Sequence, residues 1–270
     1  MYACDFEYDG KMLSDFGMVV GSFQSGSSDG AGGSEIKFNL VPAQYGKRFY
    51  AAGLQYEDCL GATFQICKNP EVFREEDLTV TNEEFRALSR WLNRKEFLWF
   101  RSFDAGEPEV VKPWFRASFT LKRIESGLET FGVELKMVTD APFGYGDEVK
   151  ETLSFTAANQ TKKLYDRNEE MGDSYPELTV TCGAAGTLTL SNAMTGCMTQ
   201  IKNCLSGEVL RLSGESMIVS SSVSAHDIAN DFNYDFFSIG NTADDNANSI
   251  TASMPCTAVI RYRPVWKDTI

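Results

Sequence analysis

The chain has a single histidine, His226, in the stretch Ser224-Ala225-His226-Asp227. A serine hydrolase of the Ser-His-Asp type would have to use this imidazole as its base. No Gly-x-Ser-x-Gly elbow is present to raise a nucleophile, and neighbours within one short turn seldom converge on a single reacting atom. His226 is therefore read as an ordinary surface histidine. Zinc needs a fuller set of nitrogen and sulfur ligands than one histidine and scattered cysteines without a Cys-x-x-Cys pair can supply. The run Asp244-Asp245-Asn246-Ala247-Asn248 offers oxygen ligands, but it lacks the glycine and the distant glutamate of a calcium loop and reads as a polar turn. The Gly/Ser-rich stretch Ser22 to Ser34 is not followed by Gly-Lys-Ser/Thr or by a helix start, so it reads as a flexible loop and not a phosphate cradle. A paired-carboxylate hydrolase has no positive support. No catalytic residue, cofactor site or metal site is assigned, and the chain is not read as an enzyme.

Aromatic side chains are the remaining candidates. Tyr234, Phe236, Phe237, Tyr262 and Trp266 crowd the last forty residues. Most belong to a core, but an aromatic exposed on a sandwich is a common sugar-binding surface. Tyr234 and Trp266 are the candidate carbohydrate or partner contacts.

The elements that must carry these residues are mainly strands. Thr81 to Asp104 holds the one clear helix, opened by a Thr81/Glu84 capping box. Phe85, Leu88, Trp91 and Leu92 form its apolar stripe, and the apolar strand Phe97 to Phe103 follows. Strands are also expected at Cys4 to Tyr8, Phe16 to Val20 and across Glu35 to Lys68. In the last of these, Pro42 and Gly46 mark an edge or a projecting hairpin between Leu40 and Phe49. Phe115, Ala117, Phe119 and Leu121 alternate with polar residues, as do Phe131, Val133, Leu135 and Met137, which predicts two half-buried antiparallel strands.

Asp140 to Gly146, rich in Pro, Gly and aromatics, marks a boundary between domains at 1–147 and 148–270. Beyond it, residues 148–174 read as a strand plus crossover. Short segments then follow at Glu177–Cys182, Thr187–Asn192, Met198–Cys204, Val209–Leu212, Ser216–Ser221, Phe232–Ile239, Ser249–Met254 and Thr257–Tyr262. Their number and spacing predict a β-sandwich.

Charge narrows the partners. The net charge of −13 is spread over both halves, with 23 acids against 16 bases in residues 1–147 and 15 against 9 in residues 148–270. An acidic surface repels a phosphate backbone, so the charge argues against sequence-reading nucleic-acid binding, whereas a wall past which DNA slides suits it. No run of eighteen apolar residues and no basic-then-apolar leader occurs, so a soluble, cytoplasmic product is expected. Seven scattered cysteines fit reduced, partly buried thiols.

This order of parts resembles a known family. The residues that carry the likeness are Phe6-Glu7-Tyr8-Asp9-Gly10, Phe16-Gly17-Met18-Val19-Val20, the capped helix running into Phe97 to Asp104, the Asp140 to Gly146 exit, Tyr175-Pro176, and Val259-Ile260-Arg261-Tyr262-Arg263. Together they look like the distal tail protein of long non-contractile-tailed bacteriophages. The resemblance implies an N-terminal β-sandwich or half-barrel with one packed helix, followed by a galectin-like or carbohydrate-module-like sandwich. It also implies a hexameric ring at the virion tail tip, made in the bacterial cytoplasm, with a central channel for DNA passage. The implied partners are the tail-tube protein, a tail-tip lysin or fibre protein and a receptor-binding protein. The alternative is a carbohydrate-binding module that attaches to host glycans through its C-terminal sandwich.

Overall fold

The computed structural model describes residues 3–25, 36–43, 48–56, 58–104 and 111–267. The protein is mainly β and divides into two compact units, Met1–Gly146 with Trp266–Ile270, and Asp147–Val265.

The first unit is built on strands β1 (Ala3–Tyr8), β2 (Lys11–Met12), β3 (Met18–Ser25), β4 (Ile36–Pro42), β5 (Phe49–Tyr56), β6 (Gly61–Lys68), β7 (Leu98–Asp104), β8 (Phe115–Ser126), β9 (Glu129–Thr139) and β10 (Gly144–Tyr145), with helix α1 (Asn82–Leu92). Seven of them form one sheet in the order β2-β1-β7-β8-β9-β6-β3. β1 and β3 lie towards opposite ends of that order yet pack on each other, so the sheet curls into a half-barrel around its core. Helix α1 lies against β8.

The cap forms as expected. Thr81 Oγ1 accepts from the Glu84 amide at 3.2 Å, and Glu84 Oε2 accepts from the Thr81 amide at 2.7 Å. Lys68, buried on β6, donates to the Asp77 carbonyl and pairs with Glu84 Oε1 at 2.8 Å, tying the first helical turn to the sheet. Leu88, Trp91 and Leu92 are buried, with Phe85 packed at the margin under the Arg123 guanidinium, 4.2 Å from the ring centre. Trp91 stacks on Phe16 and Phe6 at centroid separations of 4.4 and 5.7 Å, and Phe6, Phe64, Phe100 and Phe119 continue the aromatic core.

Phe131 departs from the expected alternation: it is exposed, whereas Val133, Leu135 and Met137 are buried. The register slips between Ile124 and Glu125, which pair with Gly132 and Thr130, so Phe131 is the extra residue of a β-bulge and leaves the core face. In the stretch expected as a glycine-rich loop, Ser22–Ser25 continue β3 instead, and the remainder, 26–34, lies outside the described residues.

The second unit contains β11 (Val149–Phe155), β12 (Gln160–Tyr165), β13 (Gly172–Ser174), β14 (Glu177–Cys182), β15 (Gly186–Asn192), β16 (Met198–Cys204), β17 (Val209–Ser213), β18 (Ile218–Ser221), α2 (Ile228–Asp231), β19 (Ile239–Asn241), β20 (Ala247–Ala252) and β21 (Cys256–Tyr262). A five-stranded sheet, β11-β21-β14-β17-β18, and a four-stranded sheet, β12-β20-β15-β16, enclose a common core that includes Phe155, Val180, Leu190, Ile201, Leu210 and Ile260. This is the expected sandwich. Residues 148–174 hold three strands where one strand and a crossover are expected. Phe232–Ile239, read as a strand from its alternation, makes only one bridge, Phe232 to Ile201, before β19 begins. The reason is chemical: Asn233 and Asp235 spend their side chains on the edge of β16, so the backbone there does not run on as a ladder.

Candidate functional site

Two features stand out from the scaffold: a polar cluster in the second unit and an apolar ribbon in the first.

The polar cluster corrects the reading of His226 as a surface residue. Its side chain is only 3 % exposed. Nδ1 is hydrogen-bonded to Glu208 Oε1 at 2.5 Å, whereas Nε2 lies 3.2 Å from Asp231 Oδ2 in charge contact but not aligned as a hydrogen bond, so the ring is bonded to one carboxylate and faces a second. Glu208 is itself buried. It accepts from Ser221 Oγ at 2.5 Å and from the Leu205 amide at 2.7 Å. Burial alone would raise its pKa, but the bonds from Ser221, His226 and Leu205 outweigh that and hold it below the usual carboxylate range. Burial likewise opposes a proton on His226, yet the bond to Glu208 and the charges of Glu208, Cys204 and Asp231 outweigh it and push the imidazole up.

In this chain of hydrogen bonds the carboxylate sits between the serine and the histidine, so Ser221 donates to Glu208 and not to a base that could activate it. Ser224 is exposed, and Asp227 is exposed and bonded to the Asn230 amide group, so the sequence neighbours of His226 do not converge on it. The two carboxylates meet opposite ring nitrogens and cannot share an ion, and among the described residues no group of three or more His, Cys, Asp or Glu is placed to hold a metal. The expected Asp244–Asn248 turn is closed by Thr242 and Asp245. Asn248 is buried and bonded to Asn192 and Gly240. All seven cysteines are free thiols.

The ribbon is formed by β4 and β5, which among the described residues pair only with each other, as a separate two-stranded sheet. Alternation places Ile36, Phe38, Leu40 and Pro42 on one face, with Phe49 opposite Pro42. Lys37, Asn39 and Val41 take the other face, opposite Gln55, Gly53 and Tyr50, so that face is mixed, with Val41 and Tyr50 exposed on it. The apolar face is open: Ile36, Phe38, Leu40 and Phe49 are 49, 56, 55 and 63 % exposed. Such a two-stranded sheet is marginal alone, and an apolar stripe of this kind marks a contact surface.

Tyr234 and Trp266 fall in different units. Tyr234 is exposed with a left-handed backbone, φ 60°. Its hydroxyl donates to the Ala229 carbonyl at 2.9 Å, and its ring leans on Phe232. Trp266 is half-buried and belongs to the first unit, not to the sandwich in which it was expected.

Comparison with known proteins places both halves. Residues 1–141 match the family model described as phage tail protein N-terminal domain, and residues 143–262 match the phage tail C-terminal domain. The chain belongs to this phage tail protein family. No curated protein sequence matches it. Among solved structures, the tail protein is similar in fold to the SPP1 Dit (gp 19.1) protein. The TM-score is 0.66 at 13 % identity, over 96 % of this chain and 98 % of that one. SPP1 Dit is described as a paradigm of the hub adsorption apparatus in phages that infect Gram-positive bacteria. As a tail component the protein is located in the virion tail.

Nothing local in the sequence announces the Glu208–His226–Asp231 cluster, because Glu208 lies 18 residues from the histidine. The ribbon left a clearer trace: Pro42 and Gly46 mark an edge or a projecting hairpin between Leu40 and Phe49, and β4 and β5 on either side of them do pair antiparallel, with Ile36, Phe38 and Leu40 open.

Proposed function

We propose that this tail protein is a structural, non-enzymatic hub of the tail tip. Copies close head to tail into a hexameric ring between the tail tube and the host-adsorption apparatus, around a channel through which DNA passes without specific binding. The first unit forms the ring and the sandwich of the second unit is the part that meets the adsorption apparatus. The neighbours are the tail-tube protein, a tail-tip lysin or fibre protein and a receptor-binding protein. The chain is made in the host cytoplasm and taken into the virion.

The observation that carries this reading is the β4–β5 ribbon. A two-stranded sheet with so many open apolar side chains gains stability once its Ile36–Phe38–Leu40–Phe49 face is covered, and a head-to-tail contact between copies covers it in every subunit of a closed ring. The likeness to a hub protein over nearly the whole of both chains supports the same reading, as does the chain's net charge of −13, which suits a protein past which DNA slides. Native mass spectrometry over a concentration series tests it: a closed oligomer is expected for the parent chain, and monomer for the double variant Phe38→Lys, Phe49→Lys. A parent chain that stays monomeric, or a double variant that assembles unchanged, overturns the reading.

A second reading, favoured by the exposed ring of Tyr234, is attachment to a glycan or a partner protein through Tyr234 and Trp266. A glycan array with the full chain and with Tyr234→Ala separates the two. Loss of a bound sugar on substitution supports the reading, and no sugar bound by either chain counts against it.

A further inference from the structure

The cluster around His226 has a consequence outside ring assembly, because it lies at the foot of a strap. Between β18 and β19 the chain runs over the outer edge of β16. Asn233 N donates to the Gln200 carbonyl at 3.1 Å, and Gln200 N donates to Asn233 Oδ1 at 3.0 Å. Met198 N donates to Asp235 Oδ2 at 2.7 Å, and Asn233 Nδ2 donates to the Met198 carbonyl at 2.6 Å. Asn203 Nδ2 reaches Asp231 Oδ1 at 2.9 Å. Side chains thus stand in for the missing neighbour strand, and the edge that would otherwise invite a foreign strand is covered.

The strap has two anchors of different chemistry. Phe232 is buried in the sandwich core, which is indifferent to pH. His226 is the other anchor. It bonds to Glu208 in the turn after β16 and approaches Asp231 on α2, the same Asp231 whose other oxygen holds Asn203. The titratable and charged groups that face the ring are Glu208, Asp231 and the Cys204 thiol at the end of β16, with the Ser221 hydroxyl on the far side of Glu208. A protonated imidazole has a donor for each carboxylate. A neutral one has a single N–H, leaving either Glu208 or Asp231 facing a lone pair.

We propose that residues 222–235 are a strap latched to the edge of β16 by protonated His226, bonded to Glu208 and in charge contact with Asp231, and that removing the proton loosens the strap and exposes that edge. The latch has two sides. The elevated pKa of His226 means that its contribution is fully present below the pKa of a free histidine and is lost as pH rises through the folded value. The depressed pKa of Glu208 means that its contribution is present above the free-carboxylate value and is lost as pH falls through the folded one. The strap is therefore held tightest across the weakly acidic to neutral range. On the alkaline side the freed amides and carbonyls of β16 offer an extended chain a place to add.

The chain has one histidine, so hydrogen exchange at its imidazole carbon, followed by mass spectrometry of the full chain, reads its titration without ambiguity even in an assembly. Backbone exchange in the peptides that contain Gln200 and Asn233, corrected for intrinsic rate, reads the strap. The expected result is a midpoint above that of a free histidine, with protection at both sites falling several-fold across that same midpoint. In Asp231→Asn the midpoint moves down and the loss of protection moves with it. A midpoint at or below that of free histidine overturns the latch, as does strap protection that does not follow the histidine in the parent chain and in Asp231→Asn.

Discussion

The indole Nε1 of Trp91 donates to the backbone carbonyl of Tyr8 at 2.9 Å, joining the last turn of the helix to a strand 83 residues earlier in the chain. The bond is buried, and the same indole fills the space between Phe16 and Phe6. Trp91 thus closes the half-barrel by packing and by satisfying a carbonyl. Replacing Trp91 with Ala is expected to cost about 3 to 5 kcal/mol, with Trp91→Phe costing less because the apolar volume is largely kept. Urea unfolding of both variants checks this. Equal losses in the two would mean that the hydrogen bond and not the packing dominates.

The helix start makes a smaller, separable prediction. Thr81→Ala removes the acceptor for the Glu84 amide and is expected to cost about 1 kcal/mol. Burial raises the Glu84 pKa, but the bonds from Lys68 and Thr81 outweigh it and the group ends low. A depressed carboxylate contributes stability above its unfolded value and loses it as pH falls through the folded value. Denaturation midpoints measured from neutral to acidic pH should therefore fall less steeply in Glu84→Gln than in the parent chain.

A third prediction concerns a glycine whose necessity is steric. A Cβ on Gly214 would collide with the Tyr175 carbonyl oxygen and stand 2.9 Å from that of Pro176. Backbone cannot swing aside as a side chain can, so Gly214→Ala should force the turn after β17 apart and cost on the order of 3 kcal/mol. Gly127→Ala, where nothing lies within 4 Å but φ is 67°, should cost less. Calorimetry of the two variants ranks them, and a reversed order would contradict the packing described for Tyr175-Pro176.

Much of the scaffold was legible in the chain because it follows from local rules. The Thr81/Glu84 box begins the helix where its chemistry requires, the Leu88-Trp91-Leu92 stripe is buried, and the strands Glu177–Cys182 and Met198–Cys204 stand where alternation puts them. The failures share a cause, which is that the deciding partner is distant. Phe131 obeys period two in sequence but is thrown outward by a slip in its pairing with β8. Phe232–Ile239 alternates like a strand, but its polar side chains are committed to β16. His226 looked solvated because its immediate neighbours are, while the carboxylate that buries it comes from the turn after β16. Trp266 was assigned to the sandwich by its place in the sequence, whereas it groups with the first unit.

The ribbon predicts a division between assembly and stability. Because Phe38 and Phe49 are exposed, lysine at both positions should leave the thermal midpoint of the isolated chain unchanged within a degree or two, as is usual for open surface sites. A large drop would mean that the apolar face supports its own chain and not a neighbour.

The most direct measurement of the central claim is single-particle electron microscopy of the purified full-length protein at high concentration. The account predicts closed sixfold rings with an open centre, in which the apolar face of Ile36, Phe38, Leu40 and Phe49 is covered by the adjacent copy. Isolated single particles throughout, or closed rings in which that face remains bare, would contradict it.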